Sequence, residues 1–124
     1  MALWPGAPYE YAAVAGDFVF AAGACPIDGE GRVPSPGDLE AQTALCVDNL
    51  REAFEQNGAS LADIVKATIY VVGSERADLV RAWTVAEPHL DRAPSTLLGV
   101  SFLGYPDQLV EIEAIAVVSK PPAT

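Results

Sequence analysis

The stretch Leu109-Val110-Glu111-Ile112-Glu113-Ala114-Ile115-Ala116-Val117-Val118 alternates with a period of two and predicts a β-strand. Val110, Ile112, Ala114 and Ala116 share one face, and Leu109, Glu111, Glu113, Ile115 and Val117 share the other. The first face is that of a core strand. The second mixes two acids with large aliphatics, which is not the pattern of a fully solvated surface. Working outward, residues 95–100 and 64–72 read as two more strands, the latter β-branched and aromatic enough for the middle of a sheet. Residues 11–14 and 18–22 are short apolar runs split by Ala15-Gly16-Asp17, and they predict an opening hairpin.

Between the hairpin and residues 64–72 the apolar period changes. Leu39, Thr43, Cys46, Leu50, Ala53 and Phe54 recur at helical spacing, while Glu40, Asp48, Arg51, Glu52 and Glu55 lie largely elsewhere. This predicts a helix that begins near Asp38 and stops at Asn57-Gly58. Asp28-Gly29-Glu30-Gly31 is a turn signal and Pro34-Ser35-Pro36-Gly37 a loop, and Ser60-Leu61-Ala62-Asp63 resembles a one-turn capping box. A second helix is predicted from about Ser74, burying Leu79, Ala82, Trp83, Ala86 and Leu90, with Pro88 ending or bending it. Strand, helix, strand, helix, strand implies crossovers, hence an α+β fold with parallel pairing in its sheet and both helices on one face. The face of Glu111 and Glu113 is then left uncovered. Phe18, Phe20 and Tyr70 add to its apolar surplus, so a homo-oligomer is expected to bury it, with the acids lining a cleft.

At 124 residues the chain has room for one domain, and 51% hydrophobic against 19% charged residues is rich enough for a core. No apolar run approaches the ~18 residues of a membrane span, and the opening Met1-Ala2-Leu3-Trp4-Pro5-Gly6 lacks the regions of a signal peptide. A cytoplasmic protein without membrane partners is the expectation. Seven basic against seventeen acidic side chains give a net charge of -10, which repels phosphate backbones and argues against nucleic acid as a partner. Cys25 and Cys46 have neither the spacing nor the density of a disulfide framework, and with His89 alone to help they make no zinc site, so no metal is expected. The Pro121-Pro122 tail is expected to fray.

Several segments, in this order, resemble the Rid family of small homotrimeric proteins, also called YjgF or L-PSP. They are Pro8-Tyr9; Gly16-Asp17-Phe18-Val19-Phe20-Ala21-Ala22-Gly23 with Pro26; Gln42 with Asp48-Asn49-Leu50; Asp63-Ile64-Val65-Lys66 with Thr68; Pro94-Ser95-Thr96; and Glu111-Ile112-Glu113-Ala114-Ile115-Ala116. The match covers residues 1–124 almost end to end, and its specificity lies in order and spacing rather than in any one piece. The resemblance implies a chorismate-mutase-like fold with a mixed β-sheet and two helices on one face, a homotrimer that buries the helix-free sheet faces, and clefts between subunits for small carboxylated metabolites. It also implies hydrolysis of reactive enamines and imines, such as 2-aminoacrylate, to 2-keto acids and ammonia without a cofactor.

In that scheme an arginine holds the substrate carboxylate, backbone near a glycine assists, and a glutamate manages a water or proton. By position the glutamate is Glu111, the glycine Gly23 and a cleft-lining tyrosine Tyr9, and Thr96 joins the substrate-binding positions. The arginine has no counterpart: deaminating members carry Pro-Ala-Arg-Ser where this chain has Arg92-Ala93-Pro94-Ser95. Proline has no donor to replace a guanidinium fork. Arg92 is the candidate replacement, on the expectation that residues two apart in an extended segment point the same way, about 6.6 Å apart.

Each candidate has a plainer reading. Glu111 and Glu113 on one strand face suit proton transfer, or are a wetted pair. Cys25, after Gly23-Ala24, is a candidate cleft thiol, or a small buried hydrophobe, as Cys46 on the helix stripe is expected to be. Tyr9 suits a subunit boundary and Gly23 a tight turn. His89 has no evident catalytic partner. Three functions stay open: the imine-hydrolysing trimer, a trimer that binds small molecules without turnover, and, last, an endoribonuclease or translation inhibitor.

Overall fold

The hairpin of β1 (Ala12–Ala15) and β2 (Phe18–Ala21) turns through Gly16, whose φ of 59° is open to glycine at no steric cost. The structure, a computed structural model, describes residues 3–118; Met1, Ala2 and the Pro121-Pro122 tail lie outside them. Helix α1 (Leu39–Glu55) follows a long loop, then β3 (Ile64–Val72), α2 (Arg76–Ala86), β4 (Ser95–Val100) and β5 (Val110–Val117). The sheet order is β1-β2-β5-β3-β4. Only β3 and β4 pair in parallel; β5 runs antiparallel to both β2 and β3. Both helices do make crossovers between strands of like direction. The crossover through α1 leaves a gap between β2 and β3, and β5 fills it from the opposite direction, so the parallel pairing expected from element order is confined to one pair.

Local chemistry sets the helix limits. Asp38 Oδ1 accepts the Ala41 N–H at 3.0 Å and caps α1, and the chain leaves it through Gly58 at φ 82°. All six residues of the expected α1 stripe are buried. Ser60 and Asp63 make the capping box around a single 3-10 turn, Leu61–Asp63. Helix α2 begins two residues later than Ser74, with Glu75 as its cap, and Pro88 converts its end into a 3-10 turn, Glu87–His89. Ala82, Ala86 and Leu90 are buried, while Leu79 and Trp83 pack against the core from its margin.

The two helices pack on one sheet face. Leu50 and Phe54 of α1 meet Val19, Ile69, Val71, Val110 and Ile112 of the strands in one fully buried cluster. In β5 burial alternates residue by residue, with Val110, Ile112, Ala114 and Ala116 inside. On the other face Glu111, Glu113, Ile115 and Val117 are half-buried by their neighbours alone, and Phe18 and Phe20 are each 44% exposed. Four polar side chains, Gln42, Thr43, Asn49 and Gln108, are buried, and no buried side-chain N or O among the described residues lacks a hydrogen-bond partner. Among the described residues no helix is long and apolar enough to cross a membrane.

Truncating Phe54 to Ala is expected to lower the unfolding free energy by about 3–5 kcal/mol, because the fully buried ring leaves a cavity. Val80→Ala on the exposed side of α2 should change it by no more than about 0.5 kcal/mol. Urea unfolding curves of the two variants check the difference.

Candidate functional site

Glu111 stands at the start of β5, where an isolated bridge joins Ala24 to Ile112 and brings the loop after β2 alongside the strand. Gly23 therefore lies directly under the Glu111 side chain. A Cβ at position 23 would fall 2.1 Å from Glu111 Oε2, so the carboxylate occupies the space that any other residue would need. Glu111 Oε1 accepts from Cys25 Sγ at 3.3 Å and from Gln108 Nε2 at 3.1 Å. Oε2 takes no hydrogen bond from the described residues, and Glu111 lines a cleft of about 270 Å³ with Tyr9, Ala22, Gly23, Cys25, Gly104 and Tyr105. Tyr9 and Tyr105 share a hydroxyl hydrogen bond of 2.9 Å across its mouth.

Buried amides hold this arrangement. Asn49 of α1 donates to the Cys25 and Ile27 carbonyls at 2.9 and 3.0 Å, fixing the loop that carries Gly23 and Cys25. Gln42, two turns earlier, donates to the Ser35 and Asp107 carbonyls and accepts the Leu109 N–H at 2.8 Å, fixing the segment that enters β5. Gln108 accepts the Tyr105 N–H and donates to the Val110 carbonyl as well as to Glu111. Burial first, and then the Glu111 charge, pushes the Cys25 thiol up to about 12. Cys25 is thus a neutral donor to the carboxylate rather than a thiolate nucleophile. Desolvation, followed by the Tyr105 hydrogen bond, likewise raises Tyr9 well above the ordinary phenol.

Of the expected site residues, Tyr9, Gly23, Cys25 and Glu111 come together, and Arg92 and Thr96 do not join them within one chain. Arg92 is not in an extended segment. Asp91 and Arg92 have φ of 48° and 61°, a left-handed turn before β4 begins at Ser95, so the two-residue spacing to Pro94 fails. The exposed Arg92 borders a different groove with Trp83, Glu87, Pro88 and Leu90. Thr96 lies on β4 in register with Thr68, and its hydroxyl accepts from Lys66 Nζ at 2.8 Å. Glu113 shares the face of Glu111 but takes a 2.5 Å hydrogen bond from the Tyr70 hydroxyl, which pushes Tyr70 up to about 12. Both cysteines are free and buried, and no group of three or more metal-ligating side chains occurs among the described residues.

The Endoribonuclease L-PSP family model matches residues 1–118. The chain belongs to the L-PSP family, also called YjgF or Rid. A RutC family protein of Pyrococcus abyssi is 34% identical to this L-PSP chain over 113 residues, covering 90% of the chain and 87% of the relative. The crystal structure of the E. coli YjgF gene product is similar at a TM-score of 0.78 and 29% identity over 92% of each chain. E. coli TdcF with bound serine matches at 0.81 and 27% identity, over 95% of this chain and 94% of that one.

Sequence reasoning missed Tyr105 and Gln108, which enter the L-PSP cleft from the loop before β5. The Gly104-Tyr105-Pro106-Asp107-Gln108 run carried the available signal, a turn-rich segment with an aromatic beside a candidate site. Gln42 and Asn49 carry the resemblance in the sequence, and the structure adds their loop contacts.

The Cys25 contact is open to direct test by iodoacetamide alkylation. Replacing Glu111 with Gln removes an anion beside the thiol, which makes the thiolate easier to form, so the thiol titrates at lower pH and alkylation at pH 8 should speed up several-fold. Cys25→Ser identifies the reacting residue, since Cys46 is wholly buried. An unchanged or slower rate in Glu111→Gln would contradict the contact.

Proposed function

We propose that this L-PSP protein is a cytoplasmic homotrimer whose clefts between subunits bind small carboxylated metabolites and hydrolyse reactive enamines and imines to 2-keto acids and ammonia. The observation that carries the reading is Glu111, a cleft-lining carboxylate with Oε1 fixed by Cys25 and Gln108 and Oε2 above Gly23 without a donor among the described residues. A carboxylate so held is a base of fixed direction. It takes a proton from a water as the water oxygen bonds to the carbon of the protonated imine, giving a neutral carbinolamine. The carboxyl returns that proton to nitrogen, and as the C–N bond breaks and ammonia leaves, the hydroxyl proton passes back to the carboxylate and the carbon keeps the oxygen as a ketone. No redox cofactor is needed, because no electrons change hands. The serine bound to TdcF supports a small amino-acid-derived ligand for this chain too.

The trimer is supported by the uncovered Phe18, Phe20, Ile115 and Val117, which a second copy would bury. Light scattering at micromolar concentration should give three times the 13.0 kDa chain mass, and a monomer would sink the oligomer. A second reading, a binding module without turnover, is favoured by one observation: among the described residues the side chains lining the Glu111 cleft include no Lys or Arg to hold a carboxylate. An endoribonuclease ranks last, because a net charge of -10 repels a phosphate backbone.

An amino-acid oxidase that releases imines, coupled to semicarbazide trapping, separates the first two readings. The protein should shorten imine lifetimes, and Glu111→Gln should cost about 10²-fold or more of that acceleration, the usual worth of a general base. A folded trimer that leaves every imine in a broad panel untouched would establish the binding module instead.

A further inference from the structure

Tyr105 reaches the Glu111 cleft from a largely exposed loop, yet its own position is tightly set. Its N–H donates to Gln108 Oε1 at 3.0 Å, and its carbonyl accepts the Gln108 N–H at 3.1 Å. The same buried carboxamide donates to Glu111 Oε1 at 3.1 Å, so one side chain sets the Tyr105 backbone and the carboxylate relative to each other. The Tyr105 ring meets the Trp4 indole edge to face, with centroids 6.4 Å apart. Trp4 in turn lies over Gly31, where a Cβ would come within 2.6 Å of the indole.

The hydroxyl end is tied as well. Tyr105 shares its 2.9 Å hydrogen bond with Tyr9, Tyr9 packs edge to face on Tyr11 at 5.8 Å, and the Tyr11 hydroxyl donates to the Trp4 carbonyl at 2.6 Å. Trp4, Tyr105, Tyr9 and Tyr11 thus close a circuit in which each member is held by the next. Edge-to-face aromatic pairs attract beyond the area they bury, and a closed circuit leaves no member free to swing alone. Apart from Cys25 and Glu111, the rest of the cleft is lined by Ala22, Gly23 and Gly104, whose side chains amount to a methyl group at most. The phenols are therefore its walls, and Tyr105 is the one whose distance from the base is set through a single amide.

We infer that Tyr105 is a specificity-determining residue of this cleft, a fixed wall that limits how long a substituent the imine carbon can carry. The inference rests on the imine reading proposed above. Hydrolysis puts the imine carbon within one water of Glu111, so the substituent has to fit in the space that Tyr105 leaves. A yielding wall would move aside for a longer substituent. One held at its backbone, ring and hydroxyl does not, and the misfit returns as lost transition-state binding. All of these contacts come from the same chain, so a second copy across the cleft adds a further wall and leaves this one in place.

An amino-acid oxidase supplied with D-alanine, D-2-aminobutyrate or D-phenylalanine, coupled to semicarbazide trapping, gives the acceleration for imines that differ only in their substituent. Tyr105→Ala should raise the phenylalanine-to-alanine ratio of accelerations at least about tenfold, and Tyr105→Trp should lower the 2-aminobutyrate-to-alanine ratio by about as much, the scale on which a pocket discriminates a methylene. Tyr105→Phe keeps the ring and should leave both ratios close to native. A merely structural role would change all three imines together and leave the ratios alone. An unmoved phenylalanine-to-alanine ratio in Tyr105→Ala overturns the inference, and a native protein that shortens imine lifetimes all the same leaves the proposed function standing without it. If the native protein leaves every imine untouched, turnover falls and calorimetry with pyruvate, 2-oxobutyrate and phenylpyruvate decides: the same shifts in the Kd ratios support the inference, while unmoved ratios, or no binding of any of the three, overturn it. Should Tyr105→Ala fail to fold, Tyr105→Leu takes its place.

Discussion

Two side-chain amides on one helix hold the cleft together. Gln42 and Asn49 are seven residues apart, two turns of α1, and so face the same way. Between them they satisfy carbonyls of the loop after β2 and both a carbonyl and an N–H of the segment entering β5. Neither loop has a regular ladder of its own, and a buried backbone group without a partner costs about 1–3 kcal/mol. The amides remove that cost and set the distance between the loops in the same step. The position of Gly23 beneath Glu111, and of Cys25 and Gln108 beside it, follows from this clamp and from the short bridge of Ala24 to Ile112.

Glu111 and Glu113 illustrate how one strand face gives two carboxylates different environments. Both point away from the helices and differ by a single pleat repeat. Glu111 meets a buried thiol and a buried amide, both neutral donors, and keeps one oxygen toward the cleft. Glu113 meets a phenol from the next strand and lines a pocket with Lys66. Neither is neutralised by a cation of its own chain among the described residues, so each remains an acceptor for a ligand or a water.

Periodicity made most of the fold legible. The alternation from Val110 to Val117 and the helical stripe from Leu39 to Phe54 are each long enough for one period to dominate, and both are found as read. The insertion of β5 between β2 and β3 was not legible, because alternation says which face a residue takes and nothing about which strand lies beside it. Of the site, Tyr9 and Gly23 came from resemblance, and Glu111 from resemblance together with its place on the mixed face of a period-two strand. Cys25 came from its place after a turn. Arg92 misled because a left-handed backbone at a non-glycine residue leaves no mark in composition. Tyr105 and Gln108 escaped because their contacts depend on a loop conformation fixed by Gln42, 63 residues before Tyr105.

The uneven distribution of charge is an argument in itself. Among the described residues the cleft beside Tyr9 and Tyr105 holds a carboxylate without a cation, and the helix-free face holds Lys66 without a carboxylate within 4.0 Å. A single chain thus keeps a directed carboxylate and a lysine well apart on one sheet face. The same face carries the apolar side chains that no element of the chain covers, Phe18 and Phe20 above all. Burying those side chains against a second copy would bring residues of that copy over Lys66 and Glu113, excluding water from a lysine and a carboxylate and strengthening the bonds each makes. Assembly through this face would account for acids and aliphatics sharing a strand face that a monomer would leave wet.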